Sequence, residues 1–284
     1  MFDGFKLEMM DTDEVQIRVR HGGSGPPLLL LHGHPQTHAM WCKIAPRLAR
    51  DFTVVAPDLR GYGRSAKPPS TPDHALYSKR AMARDQIALM RRLGFERFCV
   101  AGRDRGGRVG YRLALDHPAA VEKLAVLDII PTAEVWRRAD MKFALGYWHW
   151  AFLAQPHPFP EKFIAADPAE FYFRHPREIH DPEAMADYLT CIGDPETIRA
   201  MCEDYRAGAT CDVMADEADR GQRRIGCPLL VLWGARGAVG KWYDVPAIWR
   251  DWADHVHGGE IDSGHFLAEE APDPTYDALR AFFK

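Results

Sequence analysis

A chain of 284 residues that is 46% hydrophobic and 27% charged can bury either one large α/β domain or a core carrying an inserted lobe. A net charge of -4 and a pI near 6.3 argue against nucleic acid as a partner, so arginines crowded into one region point to a local anionic ligand. No stretch reaches the roughly 18 apolar residues of a membrane helix and no signal-peptide pattern opens the chain, so no membrane partner is expected. Six scattered cysteines without a Cys-x-x-Cys pair predict reduced thiols and a cytoplasmic protein.

In chain order, Val15 to Arg20 alternates apolar and charged residues, as an exposed antiparallel strand does. Leu28 to Leu31 is a continuous apolar run, typical of a strand buried on both faces. It ends in His32-Gly33-His34-Pro35, and such a loop after an early buried strand resembles the oxyanion loop of α/β-hydrolases. There one loop N–H works with the N–H that follows the nucleophile, which here makes the amides of His34 and Arg105 the candidate donors. His32, His34 and His38 also raise a metal reading, but Pro35 interrupts the spacing and no metal is expected. Thr53 to Ala56 is the next buried strand, and the Asp58-x-x-Gly61-x-Gly63-x-Ser65 turn after it is expected to be structural. A helix is predicted from about Ser78 to Leu93.

Phe98 to Ala101 reads as a third buried strand, and it breaks into Gly102-Arg103-Asp104-Arg105-Gly106 before a helical pattern from Gly107 to about His117. This is a Gly-x-nucleophile-x-Gly elbow with aspartate where serine is the usual occupant. Flanking glycines allow the sharp turn that lifts one side chain above a sheet. The competing reading makes Asp104 a simple helix cap. Lys123 to Leu127 is the following strand, ending at Asp128. The segment 131–223 is aromatic-rich and helix-leaning, without a buried-strand signal. Leu229 to Leu232 resumes the strand pattern, Glu260 to Asp262 is a last short strand before Ser263-Gly264-His265-Phe266, and Asp277 to Phe283 closes as a surface helix. The whole predicts an α/β fold with a mostly parallel central sheet, a core of 1–130 and 224–284, and a helical cap of 131–223 over a ligand pocket.

A carboxylate nucleophile requires a base and an acid later in the chain. His265, in a Gly-His turn after the last strand, is the candidate base. Asp128 is the chosen acid, with Asp244 as the fallback because no carboxylate follows Leu229 to Trp233 until that position. Asp104 would attack a saturated carbon and form an ester, and His265, oriented by Asp128, would activate the water that hydrolyses it. Arg105 and Arg108 beside the elbow suit a substrate carboxylate.

Jointly, Leu31 to His38, Asp104-Arg105-Gly106-Gly107-Arg108, Ala125 to Ile129, His149 to Pro156, Met201 to Gly208 and Ser263 to Phe266 resemble the fluoroacetate (haloacetate) dehalogenases, aspartate-nucleophile α/β-hydrolases. The resemblance covers nearly the whole chain. It implies hydrolytic release of halide from 2-haloacids, fluoroacetate giving glycolate, without a cofactor and in a homodimer. It also implies Asp104 as nucleophile, His265 as base, Asp128 as its partner and Arg105 and Arg108 as carboxylate ligands. His149, Trp150 and Tyr205 would donate to the departing halide; the residues alone would read as cap packing. The chain departs from the family at Arg103, where histidine is usual, at His34, where an apolar aromatic is common, and in lacking a clear match for one cap tryptophan between Glu170 and Asp187. The alternative is an epoxide hydrolase, with Tyr205 and then Tyr147 or Tyr188 aimed at the epoxide oxygen, which leaves the arginine pair without a purpose. A haloalkane dehalogenase leaves it equally idle, and a non-catalytic small-acid receptor leaves Asp104, Asp128 and His265 unexplained.

Overall fold

The computed structural model of the protein describes residues 1–174 and 177–284. Its strands are β1 (Lys6–Asp11), β2 (Gln16–Gly23), β3 (Pro27–Leu31), β4 (Thr53–Pro57), β5 (Phe98–Arg103), β6 (Val121–Leu127), β7 (Leu229–Gly234) and β8 (Val256–Ile261). They form one sheet in the order β1-β2-β4-β3-β5-β6-β7-β8. The β1–β2 and β2–β4 pairs are antiparallel, and every pairing from β4 through β8 is parallel. The apolar runs of β3, β5 and β6 are buried because both faces of the central sheet are covered. Helix Lys79–Arg92 packs on helix Arg105–Asp116, which lies in turn against β3, β5 and β6.

The chain runs from β3 to β4 on one side and then to β5 on the other, so the winding reverses between β3 and β5. Crevices beyond the carboxyl ends of strands at such a reversal are where α/β sheets hold ligands. The loops that follow β3, β5, β6 and β8 begin with His32, Asp104, Asp128 and Asp262. Between β6 and β7 the chain is helical, from Thr132–Arg137 to Cys211–Asp219, with no strand among the described residues.

Four element readings need correction. β1 escaped the sequence pattern because it is an edge strand with hardly any buried face. β2 is not an exposed strand: Ile17, Arg18 and Val19 are buried, and Arg18 pairs with Asp58 and Asp187. β8 begins at Val256, hidden by Gly258 and Gly259, which carry no apolar signal. The final helix starts at Pro272, a residue suited to a first helical turn, rather than at Asp277. The turn after β4 is structural: Asp58, fully buried, accepts from the amides of His38 and Arg64.

Candidate active site

Asp104 lies at φ 47° and ψ -118° between β5 and helix Arg105–Asp116. A non-glycine residue held at positive φ costs about 1–3 kcal/mol, which the neighbouring turn must sustain. The glycines make the turn possible by close approach. A Cβ on Gly102 would stand 2.4 Å from the Gly106 carbonyl, and one on Gly106 would stand 2.4 Å from those of Leu31 and His32. The cap reading fails, since the Asp104 side chain makes no capping bond. Instead its Oδ2 accepts the backbone N–H of His34 at 2.9 Å. Burial alone would raise the Asp104 pKa, but His265, Arg103, Arg105 and Arg108 outweigh it and hold the carboxyl below its ordinary range. The group is ionised at neutral pH.

His265 follows β8, and its Nδ1 meets Asp128 Oδ2 at 2.5 Å. Asp128, whose side chain is fully buried, also accepts from the Gly234 amide at 3.0 Å. With Nδ1 engaged as donor, Nε2 is the nitrogen left to take a proton. The fallback acid Asp244 is elsewhere employed, capping helix Val245–Trp252 through the Ala247 amide. Asp104, Asp128 and His265 all face one cavity of about 240 Å³.

Arg108, His149, Trp150 and Tyr205 line the same cavity. Arg108 donates to the Ile130 carbonyl and to Thr132 Oγ1, both at 3.0 Å, and its guanidinium lies 4.6 Å from the Trp150 ring centre. Arg105 is buried and is not among the described lining residues. It lies 3.5 Å from the centre of the Tyr205 ring, with Nε also 3.5 Å from Asp204 Oδ2. All three of its guanidinium nitrogens are buried without a hydrogen-bond partner. Burial pushes the His149 pKa down to about 4, Asp104 opposing only in part, so its imidazole is neutral. Burial raises the Tyr205 pKa, so its hydroxyl keeps its proton. Both are therefore donors without a charge of their own.

The three early histidines are not gathered: His32 Nε2 accepts the Leu59 amide, His38 Nδ1 pairs with Asp58, and His34 faces the cavity. Among the described residues no group of three or more His, Cys, Asp or Glu is arranged to hold a metal. Nor is any described helix long and apolar enough to cross a membrane. Of the two secondary tyrosines, Tyr147 lines the cavity, whereas Tyr188 is tied to Gln36 and Glu269 outside it. Sequence reasoning missed Asp204, which is fully buried behind Arg105 and accepts from Tyr62 Oη at 2.5 Å and from Lys79. A lone acid on helix Pro195–Ala209 gave no signal of that contact.

An α/β sheet with a strained aspartate elbow, a Gly-His turn after the last strand and a helical segment between β6 and β7 defines a hydrolase architecture. The chain matches the alpha/beta hydrolase fold family over residues 26–272, and it belongs to that family. It is 47% identical over 289 residues to the fluoroacetate dehalogenase of Burkholderia sp, covering 99% of this chain and 95% of that protein. A soluble epoxide hydrolase of Corynebacterium sp. (strain C12) is 32% identical over 272 residues, covering 92% of this chain and 91% of that one. Among solved structures, an α/β hydrolase of Nostoc sp PCC 7120, provisionally so described, superposes with a TM-score of 0.98 at 51% identity, covering 100% of this chain and 99% of that one.

Proposed function

We propose that this protein is a haloacetate dehalogenase that hydrolyses fluoroacetate to glycolate and fluoride through an ester of Asp104. The observation that carries the reading is the convergence on one cavity of an ionised Asp104, the His265–Asp128 pair, Arg108 and the donors His149, Trp150 and Tyr205. Similarity to the Burkholderia enzyme over nearly the whole chain supports the choice of substrate.

The chemistry follows from the geometry. Arg108 binds the substrate carboxylate, with the charge of the Arg105 guanidinium adding to it from behind, and presents the α-carbon to Asp104. The free Asp104 oxygen attacks that carbon, and the carbon–halogen electron pair leaves with the halide. Fluoride is a poor leaving group outside water, so His149, Trp150 and Tyr205 supply the donors that solvent would have given. The other oxygen, Oδ2, becomes the ester carbonyl, already 2.9 Å from the His34 amide. Water, losing a proton to His265 Nε2, attacks the ester carbon, and the oxyanion forms where the amides of His34 and Arg105 stabilise it. Collapse expels glycolate, which takes the proton back from His265. The new carboxyl gives its remaining proton to solvent, and Asp104 is regenerated as a carboxylate with one oxygen from water.

The expected result is fluoride release from fluoroacetate, seen with a fluoride electrode and abolished in Asp104→Asn. A single turnover in oxygen-18 water should label Asp104 and leave the glycolate unlabelled; label in the glycolate would overturn the ester. The second reading, an epoxide hydrolase, draws support from Tyr147 and Tyr205 lining one cavity. Turnover of styrene oxide without dehalogenation would favour it. A homodimer belongs to the first reading, supported by exposed apolar side chains on the cap such as Met141, Leu145 and Phe163; light scattering that gives a monomer would remove it. A cytoplasmic home also belongs to that reading, supported by six unbridged cysteines.

A further inference from the structure

Arg103 precedes the nucleophile and is fully buried, yet it is absent from the cavity wall. Its guanidinium instead joins the two loops on either side of the elbow. Nη2 donates to Gln36 Oε1 at 2.6 Å and to the His34 carbonyl at 3.3 Å, while Nη1 donates to the His265 carbonyl at 3.3 Å. The face of Phe266 lies 4.7 Å from the same group. Gln36 carries the link onward, its Nε2 donating to Glu269 and, at 3.3 Å, to Tyr188. Space for the guanidinium is reserved by Gly33, where a Cβ would stand 2.6 Å from Arg103 Nη2.

Taking a cation out of water is expensive, and here its compensation is three oxygen dipoles, an aromatic face and the charge of Asp104. Each dipole belongs to a residue that holds, or adjoins, a group the reaction needs. The His34 carbonyl shares its residue with the amide at Asp104 Oδ2, and the His265 carbonyl shares its residue with the base. A planar fork can fix two such loops at once, which a lysine cannot.

We propose that Arg103 is a positioning residue that fixes the His34 amide and the His265 imidazole relative to Asp104, and so serves chiefly the hydrolysis of the ester. The proposal rests on the dehalogenase reading. Ester hydrolysis uses the base and the oxyanion donor together, whereas attack on the α-carbon does not use His265. Removing a cation beside Asp104 also leaves the carboxylate more basic, which does not slow its attack.

The test is steady-state and quenched single-turnover kinetics on chloroacetate, whose better leaving group exposes the second step, with intact-protein mass spectrometry of the quenched enzyme. Wild type, Arg103→Met, Arg103→Lys and Gln36→Met are compared, each with its thermal unfolding curve. In Arg103→Met, kcat should fall about 10- to 100-fold, as for a misplaced reacting group. KM should fall with it, kcat/KM should hold within about threefold, and the ester should accumulate. Arg103→Lys should lie between, and Gln36→Met, which removes the 2.6 Å partner, should shift the same way should Arg103→Met fail to fold. A drop in kcat/KM matching that in kcat, with no ester accumulating, would overturn the positioning role. A wild type silent toward every haloacid would sink the dehalogenase reading and this role together. Normal wild-type turnover with unchanged kinetics in all three variants would sink this role alone.

Discussion

The hydroxyl of Tyr205 separates two explanations of the aromatic wall around Asp104, packing and stabilisation of a departing anion. Its ring already has work in packing, lying 3.5 Å from the Arg105 guanidinium and edge-on to His34 at 5.0 Å. Tyr205→Phe keeps that ring and removes only a donor. Under the proposed reaction the loss falls on the step in which halide charge develops, and it falls hardest on fluoride, whose charge is the most concentrated. Deleting one such donor costs about 100-fold or more when the anion depends on it. Fluoroacetate kcat/KM should therefore drop by about 100-fold, and chloroacetate kcat/KM by only about threefold. Equal losses on both substrates, measured side by side, would return Tyr205 to packing alone. At this scale Asp104, Asp128 and His265 were legible in the sequence because each stands in a turn that directly follows a strand, where local pattern fixes the direction of a side chain. The placement of Arg105 under Tyr205 and against Asp204 was not, because it depends on helix Pro195–Ala209, about a hundred residues away. Arg103 illustrates the same limit. Next to the nucleophile in sequence, its guanidinium turns from the cavity toward His34, Gln36 and His265.

The elbow as an element is a strand, a turn and a helix brought closer than side chains allow. Gly106 sits under the carbonyls of Leu31 and His32, and both are backbone atoms that cannot swing aside. Gly106→Ala should therefore cost on the order of 3 kcal/mol or more, the range of severe overpacking against a rigid neighbour. Gly193 provides the contrast. It ends helix Pro182–Ile192 at φ -71°, and an added Cβ would meet nothing closer than 3.6 Å. Gly193→Ala should stabilise the protein by about 0.4–1 kcal/mol through the unfolded chain. Urea unfolding of the two variants checks both; a Gly106→Ala protein as stable as wild type would contradict the crowding at the elbow. The strands of the sheet were legible in proportion to their burial. β3, β4, β5 and β6 announce themselves as apolar runs, whereas β1 and β8 at the two edges carry charges and glycines. The many short helices between β6 and β7 could be read only as a helical segment, since their order depends on packing against one another and against the sheet.

Taken whole, the molecule shifts the pKa of several buried groups away from their values in water, and this predicts how it responds to acid. Burial pushes His32 down to about 4, His34 to about 3 and His149 to about 4, with nearby Asp58 or Asp104 opposing only in part. In the unfolded chain each returns to about 6.5. As pH falls through 6.5 the unfolded chain takes up protons that the folded protein refuses, so the stability these histidines contribute is present above that pH and is lost below it. Each unit of separation is worth about 1.4 kcal/mol, so one such histidine costs roughly 2 kcal/mol by pH 5. The depressed carboxyls of Asp58 and Asp104 add their own loss only further down, below about 4 where the unfolded groups protonate. Asp212 and Asp216, raised by burial, act in the opposite direction as acid is added. Comparison of His34→Phe with wild type cancels these shared contributions and isolates one histidine. The substitution keeps the backbone amide at Asp104 and replaces an imidazole whose Nδ1 has no partner. The difference in unfolding free energy between the two proteins should therefore change by roughly 2 kcal/mol in favour of His34→Phe between pH 7 and pH 5. Parallel urea-midpoint curves over that interval would mean that the His34 imidazole takes up its proton in the folded protein as readily as in water. The cavity beside Asp104 would then be wetter than its lining implies.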